Sequence, residues 1–389
     1  MEEKVRFFLK TRVNLARGAF AEVAGEAVAL GRTDLVVTGR TAMRRAGLLD
    51  RLARGIEAAG GRPIFFDRVF PNPTTDLIDE GAALARREKV EAVVGFGGGS
   101  AMDVAKAIAV AAGFDRPAAE LFADLPPEAP SLPLVAVPTT SGTGSEVTPF
   151  AVMTDPGRRR KVGVFNTSFY PTVAILDPEL TVTMPPELTA SSGMDALAHA
   201  MESYLSRNAN AFSALFAEEA TRLVFHHLER ASADGNDLEA RTGMALASLM
   251  GGVTLGQAGT IIGHAAGMGI GGVFEVDHGA AVGLLLPEAL SFTLPHATPR
   301  LARLARRTGV VPAAEADERK AAEALIAAVR RLVAVLPLPP SLVAMGCDPA
   351  RLPEMLQNTM EQRALGNLPV APNPFEVEEF LRRVLSARA

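Results

Sequence analysis

The segment "GMDALAHAMESY" at 193–204 carries two residues of metal-binding type, Asp195 and His199, four positions apart. On an α-helix, side chains at that spacing lie one above the other on the same face. A carboxylate and an imidazole placed in this way could bind one cation. The spacing alone leaves an alternative, which is an exposed pair on an ordinary amphipathic helix.

Two further histidines are candidates for the same cation. His264 lies in a stretch from 242 to 274 that contains no Asp, Glu, Lys or Arg, where an unpartnered imidazole would be costly. His278 follows in "EVDHGAAVGLLLP". Together with Asp195 and His199 they would suit iron(II) or zinc far better than calcium or magnesium. Of the other histidines, His226 and His227 are interpreted as structural, and His296 is interpreted as a loop residue.

A glycine run lies at the junction of a predicted strand and a predicted helix in "VVGFGGGSAMDVAKA". Glycines let the backbone approach an anion closely, and the N–H groups and dipole of the helix start would bind it. A plain tight turn is the alternative, because the spacing is not the usual G-x-G-x-x-G. Phosphate binding is favoured, since ligands bind at the carboxyl ends of parallel strands. The residues concerned are Gly97, Gly98, Gly99 and Ser100.

A second loop, "PTTSGTGSEVT" at 138–148, follows another predicted strand and is rich in hydroxyl groups. Such a loop suits a ribose, a phosphate or an amide, and the alternative is a hydroxyl-rich surface turn. Two such loops at two strand ends favour a dinucleotide over a lone phosphate. The residues concerned are Thr139, Thr140, Ser141, Thr143, Ser145 and Thr148, with Lys161 downstream as an added positive charge.

The elements that must position these residues change in character along the chain. Alternating strand and helix patterns in the first half predict a parallel sheet covered on both faces. The predicted strands are 35–38, 63–66, 91–96, 132–140 and 172–178, and the predicted helices between them include 42–60 and 74–90. Helical patterns dominate from 186 onward: 187–205, 210–231, 236–252, 284–308, 315–336 and 374–388. We therefore predict an α/β domain over 1–185 and a helical domain over 186–389, with the site in the cleft between them.

Composition limits the class of protein. The chain has 389 residues, of which 48% are hydrophobic, which predicts a large packed core, and its net charge of −5 argues against a nucleic-acid or anionic-membrane partner. The single cysteine, Cys347, excludes an intrachain disulfide and favours a reducing cytoplasm. The opening residues lack the apolar core of a secretory signal. The uncharged stretch at 242–274 could span a bilayer by length, but its glycines and Gln257 favour a buried helix followed by a Gly-rich turn.

Four ordered motifs resemble those of the iron-containing (group III) alcohol dehydrogenase family, over nearly the whole chain. "GGGSAMDVAK" at 97–106 resembles the family's cofactor loop, and "TTSGTGSEVT" at 139–148 resembles its second nucleotide loop. "DPELTVTMPPELTASSGMDALAHAMESY" at 177–204 resembles the segment that joins the domains, and 264–279 resembles the segment with the last two metal ligands. The implied fold is dehydroquinate synthase-like: a Rossmann-like α/β nucleotide-binding domain followed by an all-α domain.

The resemblance also implies an activity and its residues. It implies that Asp195, His199, His264 and His278 bind Fe²⁺ or Zn²⁺, and that a hydride passes between NAD(P)(H) and a small alcohol or aldehyde. A homodimer or a larger homo-oligomer is expected. The implied cofactor residues are Gly97, Gly98, Gly99, Ser100, Asp103, Thr139, Thr140, Thr143, Thr148 and Lys161.

This chain departs from common members of the family at two places. Met268 stands where many members have a proton-relay histidine, so either a chain of water and ribose hydroxyls moves the proton or the substrate range differs. Gly39 and Arg40 stand where NAD-preferring members have an acidic residue. A guanidinium without that carboxylate would fit a 2′-phosphate, which predicts NADP(H) over NAD(H), unless Arg40 points to solvent. Phe150, Leu255 and Met268 are predicted to line a pocket for small, fairly apolar alcohols.

Several alternatives remain open. Within the same fold they are a hydroxyacid or glycerol dehydrogenase, a maleylacetate reductase, and a carbon–oxygen lyase such as dehydroquinate synthase. The pairing of "GGGSAMDVAK" with "TTSGTGSEVT" favours the alcohol dehydrogenases over the lyase. From other classes come a metal-dependent hydrolase without a nucleotide and a non-catalytic ligand-binding protein.

Overall fold

The computed structural model describes residues 5–155 and 160–387 of the chain. The chain forms two compact units. One is the α/β unit, Leu9–Thr140 with Gly144–Thr181. The other is the helical unit, which comprises the chain from Val182 onward, Ser141–Thr143 and the described residues up to Phe8. The boundary expected at 185/186 stays a prediction.

The α/β unit is built on a parallel sheet. In chain order the strands within the described residues are β1 (Arg12–Leu15), β2 (Thr33–Gly39), β3 (Arg62–Val69), β4 (Ala92–Gly97), β5 (Leu134–Pro138), β6 (Phe150–Asp155), β7 (Arg160–Phe165) and β8 (Val173–Leu176). Six of them form one sheet in the order β1-β8-β5-β4-β2-β3, and every neighbouring pair in it is parallel. β6 and β7 form a separate antiparallel pair.

Helices cover both faces of this sheet, as the sequence predicts. They are α1 (Val23–Leu30), α2 (Ala42–Arg45), α3 (Leu48–Ala58), α4 (Thr75–Arg87), α5 (Gly99–Ala111) and α6 (Ala118–Leu121). Successive residues of a strand point to opposite faces, so Leu35 and Val93 belong to one apolar core, while Val36 and Val94 belong to another. Both faces of the sheet are therefore buried from solvent, which explains why the central strands are continuous apolar runs.

Some of the predicted elements are wrong or incomplete. The single helix predicted over 42–60 is interrupted between α2 and α3, where Gly47 adopts a φ of 69°. The sequence patterns also missed β1, α1 and the β6–β7 hairpin. These are short elements or elements without a strong apolar period, which a pattern reading detects poorly.

The helical unit contains no strand within residues 182–387. Its helices share one continuous apolar core. They are α7 (Pro186–Leu205), α8 (Ala211–Ala233), α9 (Leu238–Ala258), α10 (Ile262–Gly271), α11 (His278–Arg307), α12 (Glu318–Val335), α13 (Leu352–Met360) and α14 (Pro374–Ser386). A parallel-sheet domain is thus followed by an all-helical region, which confirms the predicted fold class.

The uncharged stretch at 242–274 forms two helices, α9 and α10, which meet at an angle of 97°. The Gly-rich turn predicted after α9 is wrong in part, because residues 262–271 are helical. The loop position predicted for His296 is wrong as well, because this residue lies within α11. Among the described residues no individual helix has both the length and the apolarity to cross a membrane; this bent pair meets the criteria together, by length and composition alone.

Candidate metal centre and cofactor loops

Helix α7 places Asp195 and His199 on one buried face. The helix begins with Pro186, a residue whose fixed φ suits the first helical position. Asp195 is 3% exposed and His199 is 5% exposed, so the exposed amphipathic pair considered from the spacing is not what the fold forms. His199 Nε2 lies 3.8 Å from Asp195 Oδ1.

Two other helices bring their imidazoles to the same carboxylate. His264 is in α10, and its Nε2 lies 3.4 Å from Asp195 Oδ1. His278 is the first residue of α11, and its Nε2 lies 3.9 Å from the same oxygen. The rings of His199 and His264 stack at 4.5 Å between centroids, and those of His264 and His278 meet at 5.6 Å. The three imidazole Nε2 atoms therefore lie within 3.9 Å of one Asp195 oxygen. His199 and His264 also lie close to each other, whereas His278 falls outside the group whose ligand atoms are all within 4.8 Å of one another.

The close approach of α11 to α7 depends on Gly279. A Cβ at this position would collide with the carbonyl group of Ser191 in α7. Glycine therefore lets the start of α11 rest directly on the backbone of α7, which brings His278 towards Asp195. The "DHG" sequence thus combines a ligand candidate with the small residue that its position requires.

The donor set fits a divalent cation. Among the described residues, Asp195 Oδ1 and His264 Nε2 are buried atoms without a hydrogen-bond partner, although they face each other at 3.4 Å. Buried polar atoms without a hydrogen-bond partner cost free energy, unless a group bound between them interacts with both. Ligand atoms of Asp195, His199 and His264 all lie within 4.8 Å of one another, a spacing that one ion could bridge. Nitrogen donors with one carboxylate are what iron(II) and zinc accept.

The charges in this cluster also favour a cation. Burial alone would raise the pKa of the Asp195 carboxyl, but the imidazoles of His199, His264 and His278 lower it below its usual value. Burial lowers the pKa of His199, which favours its neutral, metal-binding form. Burial would also lower the pKa of His264, yet Glu202 and Asp195 together raise it to about 10. Positive charge is therefore stabilised here, whether a proton or a metal supplies it.

Sequence analysis missed one buried carboxylate beside this cluster, that of Glu202. It is 0% exposed on α7, and its Oε1 lies 3.0 Å from His264 Nδ1. The available signal was a glutamate on the helix face of Asp195 and His199, in a segment otherwise apolar. That signal is ambiguous, because the position of α10 over this face is a non-local feature of the fold.

In the α/β unit, the two predicted cofactor loops lie side by side. Gly97 ends β4 with a φ of 152°, a conformation that favours glycine, and α5 begins at Gly99. The backbone N–H of Thr139, just after β5, donates a 2.9 Å hydrogen bond to the carbonyl oxygen of Gly97. Gly98 lies against Thr140. The structure therefore brings these loop residues together at the carboxyl ends of neighbouring parallel strands.

A buried polar cluster ties α5 to the second loop. Asp103 accepts hydrogen bonds from Ser145 Oγ at 2.6 Å and from the N–H of Val152 at 3.0 Å. Lys106, which sequence analysis did not single out, donates to Ser145 Oγ at 2.8 Å, to Thr148 Oγ1 at 3.1 Å and to the carbonyl of Phe150 at 2.9 Å. Asp103 and Thr148 thus hold the loop in place, and their direct contact with a cofactor stays a prediction.

Burial shifts the pKa values of Lys106 and Glu146 towards their neutral forms. It lowers the pKa of Lys106 to about 8, against the attraction of Asp103 and Glu146. It raises the pKa of the Glu146 carboxyl to about 7. Both groups are almost inaccessible to solvent. They therefore stabilise the second loop through buried contacts, and not as side chains on a surface that a ligand could reach.

The remaining predicted cofactor residues are spread more widely. Arg40 follows β2, is exposed, and stacks its guanidinium 5.2 Å from the centroid of Phe70; Gly39 is the last residue of β2. Thr143 belongs with Ser141 and Gly142 to the helical unit. Lys161 lies in β7, and its side chain is outside the described part of the structure.

The predicted substrate residues fall in both units. Phe150 begins β6, and its ring lies 5.3 Å from that of Phe165. Leu255 is in α9 and Met268 is in α10, one turn beyond His264, and both are partly buried. Their contact with a substrate stays a prediction.

A parallel sheet with a glycine loop at its strand ends and a helical unit with a carboxylate–imidazole cluster define a two-unit protein with a candidate metal centre. Residues 10–178 match the family described as iron-containing alcohol dehydrogenase, and residues 189–385 match its C-terminal region. The chain therefore belongs to the iron-containing alcohol dehydrogenase family, as its motifs predict.

Individual relatives agree with this assignment. The chain is 38% identical to 1-propanol dehydrogenase of Salmonella typhimurium, over 87% of this chain and 89% of the relative. It is 32% identical to NAD-dependent methanol dehydrogenase of Bacillus methanolicus, over 97% and 99%. Among solved structures, 1,3-propanediol oxidoreductase superposes with a TM-score of 0.91 at 31% identity, covering 98% of this chain and 100% of that chain.

Proposed function

We propose that this chain transfers a hydride between a small alcohol or its carbonyl product and NAD(P)(H), with a divalent metal held by Asp195, His199, His264 and His278. The convergence of these four side chains carries the proposal, because each imidazole Nε2 lies 3.4–3.9 Å from one Asp195 oxygen. The names of the relatives, which are dehydrogenases of propanol, methanol and propanediol, support the substrate class.

When bound, the ion supplies Lewis-acid stabilisation of negative charge on the substrate oxygen, and the nicotinamide supplies the redox chemistry. The residues of the chain set the conditions for both. Asp195 offsets part of the ion's charge. His199 Nδ1 lies 3.4 Å from the carbonyl oxygen of Gly142, which can only accept a hydrogen bond. The proton therefore sits on Nδ1, and Nε2 keeps its lone pair on the side of Asp195.

We infer that the metal is Fe²⁺ or Zn²⁺. Three imidazoles and one carboxylate form a nitrogen-rich set that both ions accept, and the hard oxygen ligands that calcium and magnesium prefer are too few. The family name favours iron. Metal analysis of protein purified without chelators tests this assignment directly.

For the cofactor we propose a dinucleotide whose phosphates bind the glycine loop at 97–100 and whose other polar groups contact Thr139, Thr140 and Thr143. The N-terminus of α5, a helix of 13 residues, supports anion binding at the loop. The exposed guanidinium of Arg40, with Gly39 beside it, supports a place for a 2′-phosphate and hence the predicted preference for NADP(H). One relative is named as NAD-dependent, so both cofactors belong in the test.

We propose small, fairly apolar alcohols as substrates, next to Phe150, Leu255 and Met268. A thioether cannot carry a proton, so Met268 does not replace a relay histidine. Either water and ribose hydroxyls would take over that role or the substrate range differs. A cytoplasmic homodimer or larger homo-oligomer remains the expected form of the enzyme.

The deciding experiment follows absorbance of the reduced nicotinamide with a panel of alcohols and aldehydes. Chelator-stripped protein is reloaded with Fe²⁺ or Zn²⁺ and offered NAD(H) and NADP(H) in turn. We expect turnover that returns with the metal and is lost in His264→Ala. Full turnover by metal-stripped His264→Ala protein would contradict the metal-dependent reaction, and no absorbance change with any substrate would favour a lyase, a hydrolase or a binding protein.

A further inference from the structure

Glu202 is a buried carboxylate that the proposed reaction does not use. It lies on α7, three residues after His199, and is fully inaccessible to solvent. A buried carboxylate is stable only when hydrogen bonds or charges replace its water. Both of its oxygens are engaged, and both engage α10.

One oxygen holds the backbone at the start of α10. Glu202 Oε2 accepts a hydrogen bond of 2.7 Å from the N–H of Ile261 and one of 3.2 Å from the N–H of His264. These N–H groups belong to the first turn of a helix, where they have no acceptor within the helix itself. The carboxylate therefore caps α10 from a neighbouring helix, and it fixes the backbone of His264.

The other oxygen holds the ring of the same residue. Glu202 Oε1 lies 3.0 Å from His264 Nδ1, and a carboxylate can only accept, so Nδ1 donates. The proton is thereby kept on Nδ1. His264 Nε2 lies on the opposite side of the ring, 3.4 Å from Asp195 Oδ1, and in the neutral ring that binds a metal it is the nitrogen with the lone pair.

The sequence leaves room for this arrangement at one specific position. A Cβ on Gly263 would collide with Glu202 Oε1. Gly263 precedes His264, so a glycine beside the candidate ligand is what lets the carboxylate reach both the ring and the backbone.

We propose that Glu202 is a positioning residue of the metal centre: it selects the His264 tautomer, orients the ring and raises the basicity of Nε2 towards a bound divalent ion. The inference rests on the proposed function, since it requires that His264 binds a metal. Carboxylate partners of ligating histidines typically change metal affinity by about 10–100-fold when they are removed.

The test is a Zn²⁺ titration of Glu202→Gln, measured by competition with a chromogenic chelator. An amide has one acceptor oxygen, so its NH₂ group must face either the Nδ1–H of His264 or the two backbone N–H groups. We expect the apparent Kd for Zn²⁺ to rise by about 10–100-fold. The matched control is Glu218→Gln, which alters another buried carboxylate of the helical unit, paired with Arg303 and Arg307, and should leave the Kd within about twofold.

Equal Zn²⁺ affinity in Glu202→Gln and the wild type would overturn the inference and leave the proposed function intact. A wild type that binds neither Zn²⁺ nor Fe²⁺ would overturn both, because His264 would then bind no metal. If Glu202→Gln fails to fold, ¹⁵N-histidine NMR of the Zn²⁺-loaded wild type decides. We expect His264 to carry its proton on Nδ1 and to bind zinc through Nε2, and the reverse assignment would overturn the inference.

Discussion

Asp195 Oδ1 and His264 Nε2 face each other at 3.4 Å in the helical core, and neither atom has a hydrogen-bond partner in the part of the chain that the structure describes. Folding has thus desolvated an acceptor oxygen and a ring nitrogen without joining them. A cation between them, bound also by His199 and His278, would satisfy both. This relationship is the reason to expect that metal binding and catalysis fail together.

We predict that Asp195→Ala abolishes both metal binding and catalysis. Loss of the only carboxylate among the proposed ligands leaves the ion's charge less compensated, and Lewis-acid stabilisation is worth several kcal/mol, so kcat should fall by at least about 1,000-fold. Metal content after gel filtration should fall in parallel. Glu218→Ala, which removes a buried carboxylate elsewhere in the helical unit, is the control. Retention of both metal and turnover in Asp195→Ala would remove this carboxylate from the site.

Gly279→Ala should damage the same centre without changing any ligand. The added methyl group collides with the Ser191 carbonyl, so α11 must move away from α7 and carry His278 with it. We expect a loss of about 1–3 kcal/mol in the free energy of unfolding and a Zn²⁺ affinity at least about tenfold weaker. In Gly271→Ala the new Cβ meets nothing within 4 Å, so both quantities should stay near those of the wild type. Indistinguishable behaviour of the two variants would show that the close approach is not needed.

Lys106→Met is predicted to weaken cofactor binding while leaving the metal in place. Its ammonium group holds Ser145, Thr148 and the carbonyl of Phe150, so its loss frees the second loop and leaves Glu146 without its cation. We expect the Kd for the nicotinamide cofactor, measured by fluorescence, to rise at least about tenfold, and the protein to lose about 3 kcal/mol or more of stability. Lys320→Met removes a surface lysine and should change neither. Unchanged cofactor affinity would argue that the loop does not depend on this clamp.

Asp34 should make the stability of the α/β unit depend on pH. It is 0% exposed in β2, and neither of its oxygens has a hydrogen bond to the described residues. Burial, aided by the charge of Glu91, raises its pKa to about 7. The unfolded value is about 3.9, so the folded chain holds the proton more tightly. Stability contributed by the protonated form is complete below about pH 4 and is lost as the pH rises to about 7.

Asp34→Asn removes that ionisation, so it should stabilise the protein more at about pH 8.5 than at about pH 5. The difference in the free energy of unfolding should be on the order of a few kcal/mol, and it should appear as a larger rise in melting temperature at the higher pH. Thermal melts at the two pH values measure it. Asp50→Asn, at an exposed position of α3, should show no such difference. An equal effect of Asp34→Asn at both pH values would count against a raised pKa of the Asp34 carboxyl.

Arg40→Ala should alter the choice of cofactor. If the guanidinium binds the 2′-phosphate, its removal lowers kcat/KM for NADP(H) by about 10–100-fold and changes that for NAD(H) little. Arg116→Ala is the matched control, since Arg116 is also exposed and also stacks on a phenylalanine, Phe114. Wild-type protein with a clear advantage for NAD(H), or a variant with unchanged preference, would mean that Arg40 serves only its contact with Phe70.

Much of the fold was predictable from the chain because its signals are local. Alternating apolar runs and helical periods identify the parallel sheet and the helical region, and the strands around Val36 and Val94 are apolar throughout because both faces are covered. Helix α10 was missed because "GHAAGMGIGG" has the composition of a turn. Its glycines instead allow close packing, as at Gly269 against Thr359, and tertiary contact outweighs their low helix propensity.

The candidate site was predictable only in part. The spacing of Asp195 and His199 is a local signal. The positions of His264 and His278, far along the chain, do not by themselves place these residues near Asp195 in space. The family resemblance was needed to predict that all four bind one metal. Glu202 and Lys106 were missed for a related reason. A charged residue on a helix is usually solvated, and only the packing of another element over it converts it into a buried partner.

The proposed ligands come from α7, α10 and α11, and more than 50 residues separate α7 from the other two helices. An ion shared among them would stabilise the fold, because the native state binds it and the unfolded chain does not. Metal supply would then govern how long the protein survives proteolysis in addition to how fast it works. A culture starved of iron and zinc would be expected to contain less of this chain, and not merely an idle form of it.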